Sequence, residues 1–326
     1  MIVQFLIALA AGVASALMFA SIISGALVSI ILFYLAPLPL MVIAIGWSPL
    51  HAAIGGIAAG SSLGFLFGMP YLGAFVLTIA LPAWWLGHLA MLGRLAEVSA
   101  STNAASPPAT EWYPPGRLLL WIAGFASLTT IAALLTLGFD ADTITSALRR
   151  GLSRMMGLRG ALPDGSTGVE SPSLESGGMM DALITIAPAA AAIAAILTLT
   201  LNLWLAGRIT LTSGRLKRSW PDLNATALPP MTLVALCVAL GLAFTSGLLA
   251  IAAQIVSACL LMAFALSGLA TLHAVTRGRK NRALWLSSVY AVVTVFGWPV
   301  LGLIVLGLTD AMFDFRRRIP PPKPTT

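Results

Sequence analysis

The first 93 residues contain no Lys, Arg, Asp or Glu. A soluble domain needs charged side chains to cover its surface, so a stretch this long without them belongs in lipid. There the chain must satisfy its own backbone polar groups, which favours helices. A hydrocarbon core of about 30 Å takes about 20 residues of helix. The block from Ile2 to Arg94 holds four such crossings, expected over about 3–21, 25–45, 49–67 and 70–92. A cleavable leader would show a basic start and a short apolar core. Neither is present, so the amino-terminal segment reads as a first span.

The remainder of the 326 residues extends this pattern. Only 9% are charged, against roughly 25% in soluble chains, and 59% are hydrophobic. That excludes a soluble enzyme, a disordered chain and a secreted disulfide scaffold. Further spans are expected at 117–138, 181–207, 231–247 and 248–273. An apolar stretch, 283–315, is interrupted at Trp298-Pro299. The expected fold is all-α: a polytopic transmembrane helix bundle of eight clear spans plus a C-terminal broken helix or short hairpin. Four regions follow. Residues 1–94 form a four-span unit with a broken second helix. Residues 95–180 hold a Pro- and Ser-rich linker, the fifth span and a long extracytoplasmic loop. Residues 181–315 hold the C-terminal spans, and 316–326 a basic, proline-rich tail. In the long loop, Ile144, Leu148, Leu152 and Met155 share one stripe of an amphipathic helix. Such a helix lies in the membrane interface or packs on the bundle. Residues 162–178 read as flexible.

Charge gives the topology. Lys and Arg in short loops mark the cytoplasmic side. Residues 208–218 carry four basic residues, and 277–282 carry four with no acid. Both are expected inside, as is the amino terminus. The 139–180 loop dilutes four basic residues with five acids and is expected outside. A hairpin at Trp298-Pro299 then keeps Arg316, Arg317 and Arg318 inside, with Asp310 and Asp314 at the cytoplasmic interface. A single crossing would place them outside. The net charge of +7 follows these loops and does not suggest nucleic acid. Arg outnumbers Lys 15 to 3, as in GC-rich bacterial genomes. The bacterial cytoplasmic (inner) membrane is the expected location.

Chemistry is sparsely written. No HExxH, CxxC or GxxxxGK[ST] motif occurs, and His51, His88 and His273 lie far apart. Cys237 and Cys259 sit in apolar runs. No metal, no cofactor and no enzymatic activity are expected. No span carries Asp or Glu near its middle, which argues against an ordinary ion-coupled transporter.

Two kinds of feature remain. Small residues mark close helix contacts in lipid. Ala8, Gly12, Ala16 and Ala20 recur every four residues, and so do Ala52, Gly56, Gly60, Gly64 and Gly68. Each set lies on one helical stripe and faces another helix of the chain or a partner protein. The second kind is polar or irregular. Pro37 and Pro39 should break the second span, and transporters build binding sites from such breaks. Trp84, Trp85 and His88 lie within about one turn of each other, as a ligand contact or an interfacial aromatic belt. Asn202 and Gln254 line a polar cavity or tie helices together.

The segments "APLPLMVIAIGWSPLHAAIGG" and "LATLHAVTRGRKNRALWLSSVYAVVTVFGWPVLGLIVLGLTDAMFDFRRR" resemble the YybS-like family of uncharacterised bacterial membrane proteins, a domain of unknown function. The features that match are Pro37-Leu38-Pro39, His273 with its basic loop, and the run from Gly307 to Arg316. That family is distantly similar to the substrate-binding subunits of energy-coupling-factor vitamin transporters. In those subunits a small-residue stripe on the first helix docks on a membrane coupling protein. The resemblance implies that role for Ala8, Gly12 and Ala16. It implies no ligand, because this chain is far longer, adds C-terminal helices and has no obvious charged ligand site.

The expected function is a solute-binding or transport component. Pro37, Pro39, Trp84, Trp85, His88 and Asn202 would line a cavity for a neutral or weakly polar small molecule. Energy for transport would come from a partner, since no nucleotide motif is present. The alternative is a structural or assembly protein that recruits membrane proteins through its small-residue faces. Membrane lipid is a partner in either case.

Overall fold

Residues 2–95, 110–160, 173–222, 226–277 and 281–313 are described by the computed structural model. The linker core 96–109, residues 161–172, Arg279, Lys280, Asp314 and Arg316 to Arg318 lie outside the described residues, as does the side chain of Met155. Seven helices among the described residues are long and apolar enough to cross a membrane. The fold is an all-α polytopic bundle.

The first span is α1 (Ile2–Ala20), prolonged by a 3₁₀ turn that stops at Gly25. The second comprises α2 (Leu27–Leu35) and α3 (Pro37–Gly46). The break expected at Pro37 is milder than its sequence implies. Ala36 keeps right-handed helical angles (φ −55°, ψ −33°), and its N–H donates to Phe33 O at 3.2 Å. The chain tightens by one residue there and continues, so the span is kinked rather than severed. Side chains from other helices cover the loosened carbonyls. Ser15 Oγ donates to Ala36 O (2.6 Å), and Asn202 Nδ2 to Tyr34 O (2.8 Å).

Ser48 caps α4 (Pro49–Phe67) by accepting the Leu50 N–H at 3.2 Å, with Pro49 preset in the first turn. The fourth span runs through α5 (Met69–Phe75), a π-helical turn (Val76–Ala80) and α6 (Leu81–Ala90). Pro82 has no N–H for Thr78 O four residues back, so the ladder slips by one just before it. The linker that follows, expected to be a plain connection, begins and ends in a ribbon. β1 (Gly93–Leu95) pairs antiparallel with β2 (Thr110–Trp112), and Arg94 bridges Glu111 at 2.7 Å. Three residues a side carry too little periodicity to reveal such a ribbon in sequence.

The fifth span is α7 (Pro115–Leu135). α8 (Ala141–Gly160) is the amphipathic helix, and its stripe packs on the bundle. Ile144 is buried and Leu148 lies against the core. An Arg149–Asp181 ion pair joins α8 to α9 (Ser173–Thr212). That 40-residue helix starts within the segment expected to be flexible. The seventh span is shorter than its hydropathy suggested. α10 (Met231–Leu242) has 12 residues, and the chain turns at Gly247, whose φ is +74°. At 1.5 Å per residue α10 reaches about 18 Å, short of a full crossing.

α11 (Gly247–Val275) is the central post of the second half. The chain then forms α12 (Arg282–Phe296), turns at Gly297 to Pro299, and returns as α13 (Val300–Phe313). α13 runs parallel to α11: Gly268 meets Leu303 and Gly307, and further along Thr271 Oγ1 donates to Asp310 Oδ2 at 3.1 Å. The two glycines let the backbones touch. A Cβ on Gly268 would overlap Leu303 O, and one on Gly307 would overlap Phe264 O. Over the described residues 283–313 the chain folds back as a hairpin, and α13 ends on the same side as α11. Asp310 is buried against α11 rather than exposed at an interface.

The small-residue stripes face inward. Gly12 and Ala8 meet Gly55, where a Cβ on Gly12 would overlap the Gly55 carbonyl. Ala16 is buried and Ala20 half-buried against the core. On α4, Gly56 faces Ala80, Gly60 faces Val76 and Phe75, and Gly64 faces Leu72. α3 and α9 join the two halves across Leu40, Met41 and Ile196, all buried in one continuous core.

Candidate functional site

Among the described residues, two cavities lie against α7 and α9, toward opposite ends of these helices. The smaller, about 380 Å³, lies beside the kinked second span. Phe33, Tyr34, Pro37, Thr78, Thr129, Thr130 and Pro188 line it. Three of its threonines are already engaged: Thr78 Oγ1 donates to Ala74 O, and Thr129 and Thr130 both donate to Ala126 O. This cavity offers mainly shape and apolar surface, with those three hydroxyls turned back on their own helices.

The larger, about 1010 Å³, lies between α7, α9 and α11. Its walls are Leu118, Leu119, Ile122, Leu197, Leu201, Leu266 and Leu269. Its polar end holds Arg218, Asp222, His273, Arg282 and Tyr290. This end sits where α6, α9 and α11 finish and α7 begins. All three connections there, after α6, α9 and α11, lie on one side of the bundle. The positive-inside expectation makes that side cytoplasmic.

Arginine–aromatic contacts pin the basic loop after α9 across these helix ends. Arg215 lies 4.5 Å from the Trp47 ring, Arg218 5.5 Å from Trp112, and Arg208 5.4 Å from Trp220. Arg218 Nη1 also donates to Ala90 O at 2.5 Å, which caps the end of α6. Burial pushes the Arg218 pKa down from its ordinary value, and an arginine so placed still keeps its charge. Arg218 Nε and Arg282 Nε are buried with no acceptor among the described residues. Asp222 is paired with Arg277 at 3.2 Å, and His273 Nε2 meets Tyr290 OH at 2.9 Å. The acid is therefore matched from outside the cavity, and two guanidinium groups face it.

The sequence-derived site residues divide among several places. Pro37 lines the smaller cavity; Pro39 lines neither. Trp84, Trp85 and His88 belong to an aromatic stack, in which Trp85 lies 5.6 Å from Trp84, 5.9 Å from His88 and 5.3 Å from Trp121. Asn202 is fully buried between the cavities and ties α9 to the kink. Gln254 is exposed on α11. The six residues are not gathered in one cavity. Sequence reasoning passed over Arg218, Trp204, Trp220, Arg282 and Tyr290. For Arg218, Trp220 and Arg282 the signal lies in the basic loops, where it reports topology first; Trp204 and Tyr290 lie within helices and carry no such signal.

No family model, curated protein or solved structure matches this chain. Among the described residues no group of three or more His, Cys, Asp or Glu could hold a metal.

Proposed function

We propose that this multi-pass membrane protein is a solute-binding or transport component of the bacterial cytoplasmic membrane. Its ligand site is the larger cavity. One observation carries the reading: three spans enclose about 1010 Å³ of mostly apolar space that ends in a few convergent polar groups. Ligand sites are concave, apolar and oriented by a small number of polar side chains, at about 300–1,000 Å³. No catalytic step is assigned to it. Energy for movement, if it transports, comes from a partner protein. Kinship with the YybS-like proteins belongs to the same proposal and rests on Pro37-Leu38-Pro39, His273 and residues 307–316.

The assembly alternative has less support. It needs Ala8, Gly12, Ala16, Gly56, Gly60 and Gly64 to be available to another protein, and these residues pack within the chain.

The test is purification of the full chain in a gentle detergent, with mass spectrometry of the small molecules and proteins that accompany it. Leu201→Trp, which fills the cavity from its rim, is the control. A small molecule depleted at least tenfold in the variant supports the reading. An unchanged small-molecule profile alongside a stable set of envelope proteins overturns it in favour of assembly.

A further inference from the structure

We infer that the larger cavity takes an anionic amphiphile drawn sideways from the surrounding membrane, with its headgroup held by Arg218 and Arg282. The inference rests on the reading of this cavity as the ligand site.

Three observations point to that class. The first is the cavity's opening. Leu201 and Trp204 line it from a membrane-spanning helix and are 51% and 44% exposed, so the bundle does not close over them. A cavity with such a rim opens to acyl chains rather than only to water. The second is its depth. Along α9 the lining runs from Leu197 to Gly207, a rise of about 15 Å, which is half of a hydrocarbon core of about 30 Å. It is one leaflet deep. The third is the charge at its closed end. Arg282 begins α12, Arg218 hangs from the loop after α9, and both present buried Nε–H donors with no acceptor among the described residues. An unsatisfied buried donor is costly, and a phosphate or carboxylate oxygen is the acceptor that guanidinium geometry suits best. Asp222 also faces this end, ion-paired with Arg277, and the arginines outnumber it. His273 and Tyr290 bond to each other, which leaves the pair one further donor that suits the same headgroup. A neutral solute would bring no counter-ion to the two guanidinium charges, and a free anion would leave the leucine walls empty.

The experiment uses the full chain in neutral detergent and native mass spectrometry. Three probes are offered at equal concentration: dioctanoyl phosphatidylglycerol, dioctanoyl phosphatidylcholine and inorganic phosphate. The expected result is retention of phosphatidylglycerol at least tenfold above the other two. Arg282→Glu removes that preference, Arg282→Lys keeps most of it, and Leu201→Trp reduces binding of both lipids. Arg282 is partly exposed at a helix start, so these changes leave the bundle folded, which size-exclusion chromatography checks. Equal retention of the two lipids, lost in Leu201→Trp, overturns the anionic class while the cavity stands as a ligand site. Phosphate bound as well as phosphatidylglycerol overturns the amphiphile. Retention of both lipids unaffected by Leu201→Trp overturns the cavity reading itself.

Discussion

The two cavities share α7 and α9 as walls and differ in almost everything else. The smaller sits among the irregularities that sequence makes conspicuous: Pro37, the π turn before Pro82, and Pro188 within α9. The larger sits among regular helices and ends in a basic loop. Broken backbone in a membrane must be satisfied, and here Ser15 and Asn202 from the chain itself satisfy it. What marks a site is polar capacity left over once the fold is complete. By that measure the larger cavity is the candidate, because two guanidinium Nε–H donors, unpaired among the described residues, line it together, whereas other unpaired atoms such as Asn202 Oδ1 and Trp85 Nε1 line neither cavity.

The comparison can be broken most severely through α11, which forms one wall of the larger cavity. Gly268→Leu or Gly307→Leu forces a side chain into the touching backbone of α13. Overpacking of this kind costs about 1–3 kcal/mol or more. Loss of folded, monodisperse protein is expected, while Gly302→Leu, where a Cβ meets nothing, is tolerated. Next comes Asn202→Leu at the boundary between the cavities. It removes donors to Tyr34 O and Thr198 O, each 2.8 Å long. Thr198 O keeps the backbone N–H of residue 202, so the cost falls on the loosened Tyr34 carbonyl and is about 1 kcal/mol. A lowered thermal midpoint in detergent is expected, with phosphatidylglycerol retention preserved.

A change confined to one cavity sharpens the contrast. Arg218→Gln is expected to lower phosphatidylglycerol retention about tenfold, since hydrogen bonds to charged groups are worth about 1.5–3 kcal/mol. Thr130→Val in the smaller cavity is expected to leave retention unchanged by the same assay. The smallest effect is reserved for Arg149→Ala, which removes the exposed ion pair to Asp181. It should shift stability by less than about 1 kcal/mol in a chemical-denaturation series.

Much of the scaffold was legible in the sequence. Long apolar runs delimit spans because lipid imposes a length, and Trp298-Pro299 after a basic loop was enough to favour the hairpin. The stripes on α1 and α4 were legible too, because repetition every four residues is a pattern. The α11–α13 crossing was not: Gly268 and Gly307 are single residues, and only the tertiary approach shows what each is for. The short α10 escaped because hydropathy does not register a glycine turn. The site was hidden for a related reason. Arg218 and Arg282 look like any loop cations, and their sharing one cavity depends on α9 and α11 ending, and α12 beginning, at one level. Pro37, Trp85 and His88 drew notice as rare features within apolar runs, but rarity there reported kinks and ring stacking.

The most direct measurement is an experimental density map of the full chain in nanodiscs of three parts phosphatidylcholine to one part phosphatidylglycerol. The account predicts an elongated density that enters past Leu201 and Trp204 and ends within hydrogen-bond reach of Arg218 and Arg282. Density confined to the smaller cavity beside Pro37, with the larger one closed or filled by ordered water alone, would contradict it.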